Sequence, residues 1–317
     1  MADIWVVGAS NVDIIARSTN EIIAADSNVG TVEKAPGGVG RNIAEALKAL
    51  GFDVTFVTAL ADDEYGRYLA KNIRKTGIKL CDELLPADEN HTGVYCCIHD
   101  KDGDLVCAVN DMRINDKLDP NLIEKHNEGL KSADYVVFDT NLPKQTIESL
   151  TALDGVKLVV DCVSSIKAAK LSDVLESLYL LKANFIEACA LAEIEAVQPD
   201  SEALEAVMSA LVSKGLKRAI ISLGEDGAFC YELSGTGIRG VDAKVFPNLN
   251  VVSTNGCGDV LLAGYLRAIS EGFPMEDALW YGQAASGINS ESMEAVSPNL
   301  NFGNVRKKVE EYYEQIS

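Results

Sequence analysis

One segment of the 317-residue chain concentrates residue types that do chemistry: Val251-Val252-Ser253-Thr254-Asn255-Gly256-Cys257-Gly258-Asp259-Val260-Leu261-Leu262-Ala263-Gly264-Tyr265. A β-rich run leads into a turn of small residues, and an apolar helix follows. Gly256 and Gly258 allow positive φ and close approach of a ligand to the backbone. The first N–H groups of a helix have no intrahelical acceptor, and the helix dipole adds partial positive charge, so this turn suits an anion. Asp259 is the odd element. A carboxylate at a helix start is favourable as a cap in its own right. Beside an anion hole it can also act as a base, taking a proton from a hydroxyl that attacks a bound phosphoryl group.

Three further segments complete a possible site. Ala35-Pro36-Gly37-Gly38-Val39-Gly40-Arg41-Asn42 puts three glycines just ahead of an amphipathic helix. It lacks the G-K-[ST] ending of a Walker A loop and the G-x-G-x-x-G order of a dinucleotide fingerprint. The bare backbone can approach a polyhydroxyl ligand, with Asn42 donating and accepting at hydroxyls; a tight turn into a helix explains the same residues. In Lys182-Ala183-Asn184-Phe185-Ile186-Glu187, Asn184 and Glu187 share a helix face. They suit hydrated Mg²⁺ or phosphate steering, or else a capping box. In Ile220-Ile221-Ser222-Leu223-Gly224-Glu225-Asp226-Gly227 a strand ends in a Gly-x-x-Gly turn. A nucleotide fits against such bare backbone, as does a plain hairpin turn.

These residues need a frame. Short β-rich runs at 4–7, 54–58, 135–138, 158–160 and 219–222 alternate with segments of helical spacing. Ile43, Leu47 and Leu50 line one helix face, with Gly51 as its stop. Asp119-Pro120 opens another helix and Leu142-Pro143 a third. Alternating strands and helices predict a mostly parallel sheet covered on both faces. Two stretches break the rhythm. Runs at 12–17 and 31–35 flank Asp26-Ser27-Asn28-Val29-Gly30, and runs at 94–99 and 104–109 bracket the hairpin signal Asp100-Lys101-Asp102-Gly103. They predict a small antiparallel sheet serving as a lid over a cleft or a contact with a second subunit, or alternatively an edge extension of the main sheet. Without repeats or a Pro/Ser-rich linker, the chain reads as one α/β domain over 1–317, the lid inserted at about 12–35 and 92–112.

Composition narrows the partners. The net charge of -20 argues against nucleic acid and anionic membranes, which need a concentrated basic face. No apolar run reaches the ~18 residues of a spanning helix, and the start lacks a secretory pattern, so a cytoplasmic protein is expected. The eight cysteines form no C-x-x-C pair and read as core residues in a reducing compartment. The three histidines show no zinc spacing.

Taken in order, Asn11-x-Asp13, the Gly37-Gly38 segment with Asn42, Asn184-x-x-Glu187, Ser222-Leu223-Gly224-x-x-Gly227 and Gly256-x-Gly258-Asp259 resemble the ribokinase/PfkB family of sugar and nucleoside kinases. The resemblance spans nearly the whole chain. It implies a ribokinase-like three-layer α/β/α sandwich, a mostly parallel central sheet and a small antiparallel β lid. Within the family, the pieces around Asn28, Asn110-Asp111-Met112, Asp139-Thr140-Asn141 and Val160-Asp161-Cys162-Val163-Ser164 are most similar to the pseudouridine kinase group, although Val29 and Cys162 stand where that group has proline. Asn255 and Cys257 replace its usual Thr and Ala.

By this resemblance Asp259 deprotonates a 5′-hydroxyl, and the N–H groups of Gly256, Cys257 and Gly258 hold the transferring phosphoryl. Asp13, Gly37, Gly38, Asn42 and Asn141 contact the ribose, while Asn28 and Asp111 lie near the base. Asn184 and Glu187 organise Mg²⁺, and Ser222, Gly224 and Gly227 border ATP. A thiol at the Cys257 position, at a helix start, is open to a lowered pKa and to oxidation. Ser253 stands where many members carry an Asp for a monovalent cation, which weakens the case for K⁺. A homodimer through the lid is implied. Competing readings are a family kinase for another sugar or nucleoside and a non-catalytic nucleoside-binding protein on the same fold. The missing G-x-G-x-x-G after the first strand disfavours a nicotinamide enzyme.

Overall fold

The computed structural model describes residues 2–81, 84–195, 198–247 and 249–316. Its strands are β1 (Asp3–Val7), β2 (Asn11–Ser18), β3 (Gly30–Gly37), β4 (Asp53–Val57), β5 (Lys79–Leu80), β6 (Gly93–His99), β7 (Leu105–Asp111), β8 (Tyr135–Asp139), β9 (Leu158–Asp161), β10 (Leu180–Asn184), β11 (Arg218–Ser222), β12 (Ala228–Ser234) and β13 (Gly237–Ala243). The helices are α1 (Val39–Ala49), α2 (Glu64–Lys75), α3 (Pro120–Lys125), α4 (Asn127–Ser132), α5 (Lys144–Thr151), α6 (Ser165–Ala168), α7 (Phe185–Ala192), α8 (Ser201–Ser213), α9 (Cys257–Ser270), α10 (Met275–Ser290) and α11 (Phe302–Ile316).

A nine-stranded sheet runs β13-β12-β11-β10-β9-β8-β1-β4-β5 and is parallel except where β12 and β13 turn back at one edge. Alternate residues of each strand point to opposite faces, and both faces are buried. Ile4 and Val6 join a core with α1, α2, α9 and α10, while Trp5 and Val7 join a second with α3, α5, α7 and α8. That is the expected three-layer sandwich. Ile43, Leu47 and Leu50 are all buried, as their spacing predicts.

The lid is a separate four-stranded sheet, β3-β2-β6-β7. Each hairpin is antiparallel, but the two are joined through β2 and β6, which pair parallel from Asn11–Gly93 to Arg17–His99. β2 leaves β1 after three residues, and β3 runs into α1 across Gly38. The lid is therefore tethered directly to the carboxyl ends of the main strands, where ligands of open parallel sheets bind.

Two expectations are corrected, on residues 251–254 and on the cysteines. Residues 251–254 are not a strand: Val252 and Ser253 N–H groups both donate to the Ser290 carbonyl, which fixes this run against the end of α10. The helix expected at Asp119-Pro120 is present as α3, with Asp119 capping the Asn121 and Leu122 N–H groups; it ends at Lys125, and α4 begins two residues later. The cysteines are not uniformly core residues, since Cys96 and Cys107 are exposed on the lid. No helix among the described residues is long and apolar enough to cross a membrane.

Candidate active site

The N-terminus of α9 is built by two glycines with different duties. Gly256 has φ 71°, and a Cβ there would lie 1.9 Å from the Ala295 carbonyl oxygen. It needs both the left-handed conformation and the space. Gly258 has no positive φ and leaves room for a neighbouring side chain, since a Cβ there would meet Lys182 Nζ at 2.5 Å and displace it. The turn is anchored from behind by the fully buried Asn289, whose amide donates to the Asn255 and Ala295 carbonyls and accepts from Ser297 N–H. The first helical bond runs from Val260 N–H to the Gly256 carbonyl, so the Gly258 and Asp259 N–H groups have no acceptor within the helix. The Cys257 N–H donates back to the Thr254 carbonyl at 3.3 Å, which leaves it the poorest of the three expected anion donors. Burial also raises the Cys257 thiol pKa, against weak contacts to Asn289 and Ser286. The helix start does not activate this thiol, contrary to the sequence-based expectation.

Asp259 projects from this turn into a buried array of charge. Its Oδ2 accepts from Asn42 Nδ2 at 2.9 Å. Asn42 Oδ1 in turn accepts from Arg41 at 2.8 Å, and Arg41 pairs with Glu45. Asp139 ends β8, Asp161 ends β9 and Lys182 lies near the end of β10, all buried. Lys182 Nζ is 2.9 Å from Asp161 Oδ2, an ion pair whose off-axis approach leaves that oxygen without a hydrogen bond. Burial pushes the Asp259 carboxyl up to about 7; Asp161 adds to this, while Lys182 and Asn42 oppose it. A carboxylate poised near neutrality is suited to general-base work. Burial also raises Asp139, which accepts from the Ala9 and Asn141 N–H groups and so pins the turns after β1 and β8.

Two cavities flank the α9 turn. One, about 550 Å³, is lined by Ser222, Gly224, Gly227, Cys257 and Gly258 with apolar walls from Val245, Leu249, Val251 and Leu261. Its bare backbone and apolar walls fit a purine nucleoside, with phosphates directed at the α9 N-terminus. The other, about 340 Å³, is lined by Asp13, Ala35, Pro36, Arg41, Asn255 and Ala295. Asp13 lies against the Gly37 backbone and accepts from Asn11 at 2.6 Å. Burial raises its carboxyl pKa, against the pull of Asn11 and Arg41.

The expected residues therefore divide. Asp259, Gly256, Gly258, Asn42, Asp13, Gly37 and Gly38 converge at the carboxyl edge of the sheet, and Ser222, Gly224 and Gly227 border the cavity beside it. Asn42 donates to the Asp259 carboxylate rather than facing open space. Asn141 is at the same edge, with its side-chain oxygen held by Lys167 Nζ at 2.6 Å. Asn28 is not brought in. It sits at the exposed far end of the β2–β3 hairpin, tied to Ile23 and Asp26, roughly 17 Å along the strand from Asp13. Asp111 pairs with Arg113, which lowers its carboxyl to about 2. By register it also lies on the face opposite Asp13, because Asp111 faces Val94 and Val94 faces Val12. Its neighbour Asn110 shares the Asp13 face through Tyr95.

Asn184 and Glu187 form a reciprocal capping box: Glu187 Oε2 accepts from Asn184 N–H and Oε1 from its amide, while Glu187 N–H donates to Asn184 Oδ1. Each carboxylate oxygen accepts one of these bonds and keeps a second lone pair. No group of three His, Cys, Asp or Glu suited to a metal occurs among the described residues. The donor set does not fit a resident, directly ligated Mg²⁺. The sequence reading assigned no role to Lys182, Asp161 or Asn289, although Lys182 and Asp161 stand inside segments it singled out.

Comparison with known proteins agrees with this geometry. The profile of the pfkB family carbohydrate kinases matches residues 1–301. The pseudouridine kinase of Escherichia coli is 30% identical over 306 residues, 96% of this chain and 96% of that protein. A carbohydrate kinase from Agrobacterium tumefaciens has the same fold at TM-score 0.83 and 27% identity, covering 98% of this chain and 97% of that one. Arabidopsis thaliana ribokinase, solved with ribose and ATP, superposes at TM-score 0.82 with 20% identity, covering 97% and 98% of the two chains. With its ribokinase-like sandwich, its small second sheet and a buried carboxylate at the start of α9, the chain belongs to the pfkB family of carbohydrate kinases, phosphotransferases that act on hydroxyl groups.

Proposed function

We propose that the protein transfers the γ-phosphoryl group of ATP to the 5′-hydroxyl of pseudouridine. The observation that carries the reaction is Asp259 at the α9 turn, held by Asn42 and flanked by one cavity suited to a nucleotide and one suited to a ribosyl group. In this reading Asp259 takes the proton of the acceptor hydroxyl as its oxygen bonds to the γ-phosphorus. The bond from that phosphorus to the β-phosphate oxygen breaks, and ADP leaves. The Gly258 and Asp259 N–H groups receive the phosphoryl oxygens. Asp13 holds ribose hydroxyls. Mg²⁺ enters with the nucleotide as Mg-ATP, neutralising phosphate charge through phosphate and water ligands.

The acceptor is supported by the Escherichia coli pseudouridine kinase, similar along nearly its whole length. Pseudouridine carries one more ring N–H donor than uridine. Tyr95 and Asn110, on the Asp13 face of the lid, supply polar groups for such an edge. A coupled ADP-release assay with Mg-ATP tests this against pseudouridine, uridine, cytidine, adenosine, inosine, ribose and fructose. The expected kcat/KM for pseudouridine exceeds that for every other acceptor by about tenfold or more, as a hydrogen-bonding site gives against an analogue lacking the donor. A better acceptor elsewhere in the panel would refute the substrate and keep the kinase.

The same reading includes a homodimer. Ala16, Val32, Cys96, Ile98, Cys107 and Val109 share the lid face turned away from Asp13. Val32 is 71% exposed and Val109 73%, an apolar patch that a second copy would cover. Light scattering should give twice the 34.0 kDa of one chain, falling toward that value in Val109→Asp. A monomeric parent protein would end the idea.

A further inference from the structure

The Lys182 side chain occupies a place that simple electrostatics disfavours. It is a buried cation directly under the N-terminus of a helix, close enough that a Cβ at residue 258 would stand 2.5 Å from its Nζ. Positive charge is repelled from that end of a helix, and burying an ammonium is costly. Something must compensate. Around it stand Asp161 at 2.9 Å, Asp259 on α9, and Glu187 from α7. Burial works against the ammonium, but these carboxylates outweigh it and hold its pKa above the ordinary lysine value. Lys182 is thus a fixed charge, not a titrating group.

We propose that Lys182, anchored by Asp161, is the positioning residue that keeps Asp259 ionised and able to accept a proton. This rests on the reading of Asp259 as the base. Asp259 is faced by Asp139 from β8, Asp161 from β9, Lys182 from β10, and by Asn42 with the Arg41–Glu45 pair from α1. On its own helix Cys257 adds a neutral thiol. The end of α10 that packs against this turn, residues 282–290, contains no ionisable side chain. Among these groups Lys182 is the cation whose charge favours the ionised form of Asp259, against Asp161 and Asp139. Without it, burial, with Asp161 and Asp139 adding to it, would hold Asp259 protonated at neutral pH, and the base would be blocked by its own proton. Asn42 can orient the carboxylate but brings no net charge.

The test is the pH dependence of kcat/KM in the full-length protein with Mg-ATP and the best acceptor of the panel. In Lys182→Met the acidic limb should move up by about one pH unit or more, with activity recovering at high pH, and Lys182→Arg should restore much of the parent profile. Asp161→Asn should move the limb the other way, to lower pH, because it removes a negative neighbour and frees Lys182 toward Asp259. This variant keeps the question open to refutation if Lys182→Met does not fold. The KM for ATP should change by less than about threefold in Lys182→Arg and Asp161→Asn. Lost turnover with an unmoved limb, or a tenfold rise in KM for ATP, would overturn the proposal and assign Lys182 to the phosphates. The base reading is checked separately by Asp259→Asn: if that variant turns over normally, the limb belongs to another group and the failure lies there, not with Lys182.

Discussion

Asp259→Asn is expected to lower kcat by about 10³-fold, within the range of general-base contributions, while the KM for each substrate changes little. Asparagine has the same shape and retains an oxygen for Asn42, so the loss is that of a proton acceptor. The variant carries a second signature. The Asp259 carboxyl is raised to about 7 in the folded protein, chiefly by burial, against 3.8 as the ordinary value. Below that ordinary value the group is protonated folded or unfolded, and its burial costs nothing in charge. As pH rises from there through about 7, the unfolded chain ionises first, and stability is lost across that window. The penalty is complete above the folded value, with a ceiling of about 4 kcal/mol. Asparagine escapes it. The melting temperature of Asp259→Asn should thus exceed that of the parent at pH 8 and match it at pH 4. Near-normal turnover would remove Asp259 from the chemistry; equal melting at both pH values would remove the buried-charge argument.

Gly256→Ala is expected to damage both fold and turnover. The left-handed conformation alone costs an alanine about 1 kcal/mol. The larger effect is steric. The new Cβ would stand 1.9 Å from a backbone carbonyl at Ala295, and no side-chain rotation relieves a clash with backbone. The α9 turn or the loop at 295 must shift by roughly 1 Å, a displacement that costs about 10²-fold when it misplaces catalytic donors. Gly272, which follows α9, is the matched control. It too has positive φ, 88°, but its Cβ would meet nothing within 4 Å. Gly272→Ala should lose comparable conformational stability in a urea titration while kcat stays near the parent value. Equal loss of turnover in both variants would show that general destabilisation, not the turn, is responsible.

What was legible in the sequence follows the range of the signal. The α9 turn, the Gly37–Gly38 entry to α1 and the Ser222–Gly227 turn are local, and each was found because its residues are neighbours in the chain. The alternation of runs gave the three layers, because a strand buried on both faces reads as a short apolar stretch. Contacts that depend on sheet order were not legible. Lys182 and Asp161 lie 21 residues apart and meet only because β9 and β10 are adjacent and in register. Asn289 reaches the turn from another helix. The two lid departures differ in origin: Asn28 lies too far along the hairpin, whereas register decides which face a strand residue joins and separates Asn110 from Asp111. For Cys257 the helix-start argument had the right sign, but burial dominates.

The short tether between lid and base has a mechanical consequence. β3 ends at Gly37, one residue lies between it and α1, and Asn42 sits within the first turns of that helix. β2 likewise departs from β1 within three residues, beside the Asp139 carboxylate that fixes the turn. Any shift of the small sheet about these two short connections would be passed to the start of α1 and so to the Asn42 amide that donates to Asp259. The small sheet and the Asp259 carboxylate are thus coupled through covalent connections of one and three residues, not through side-chain packing alone.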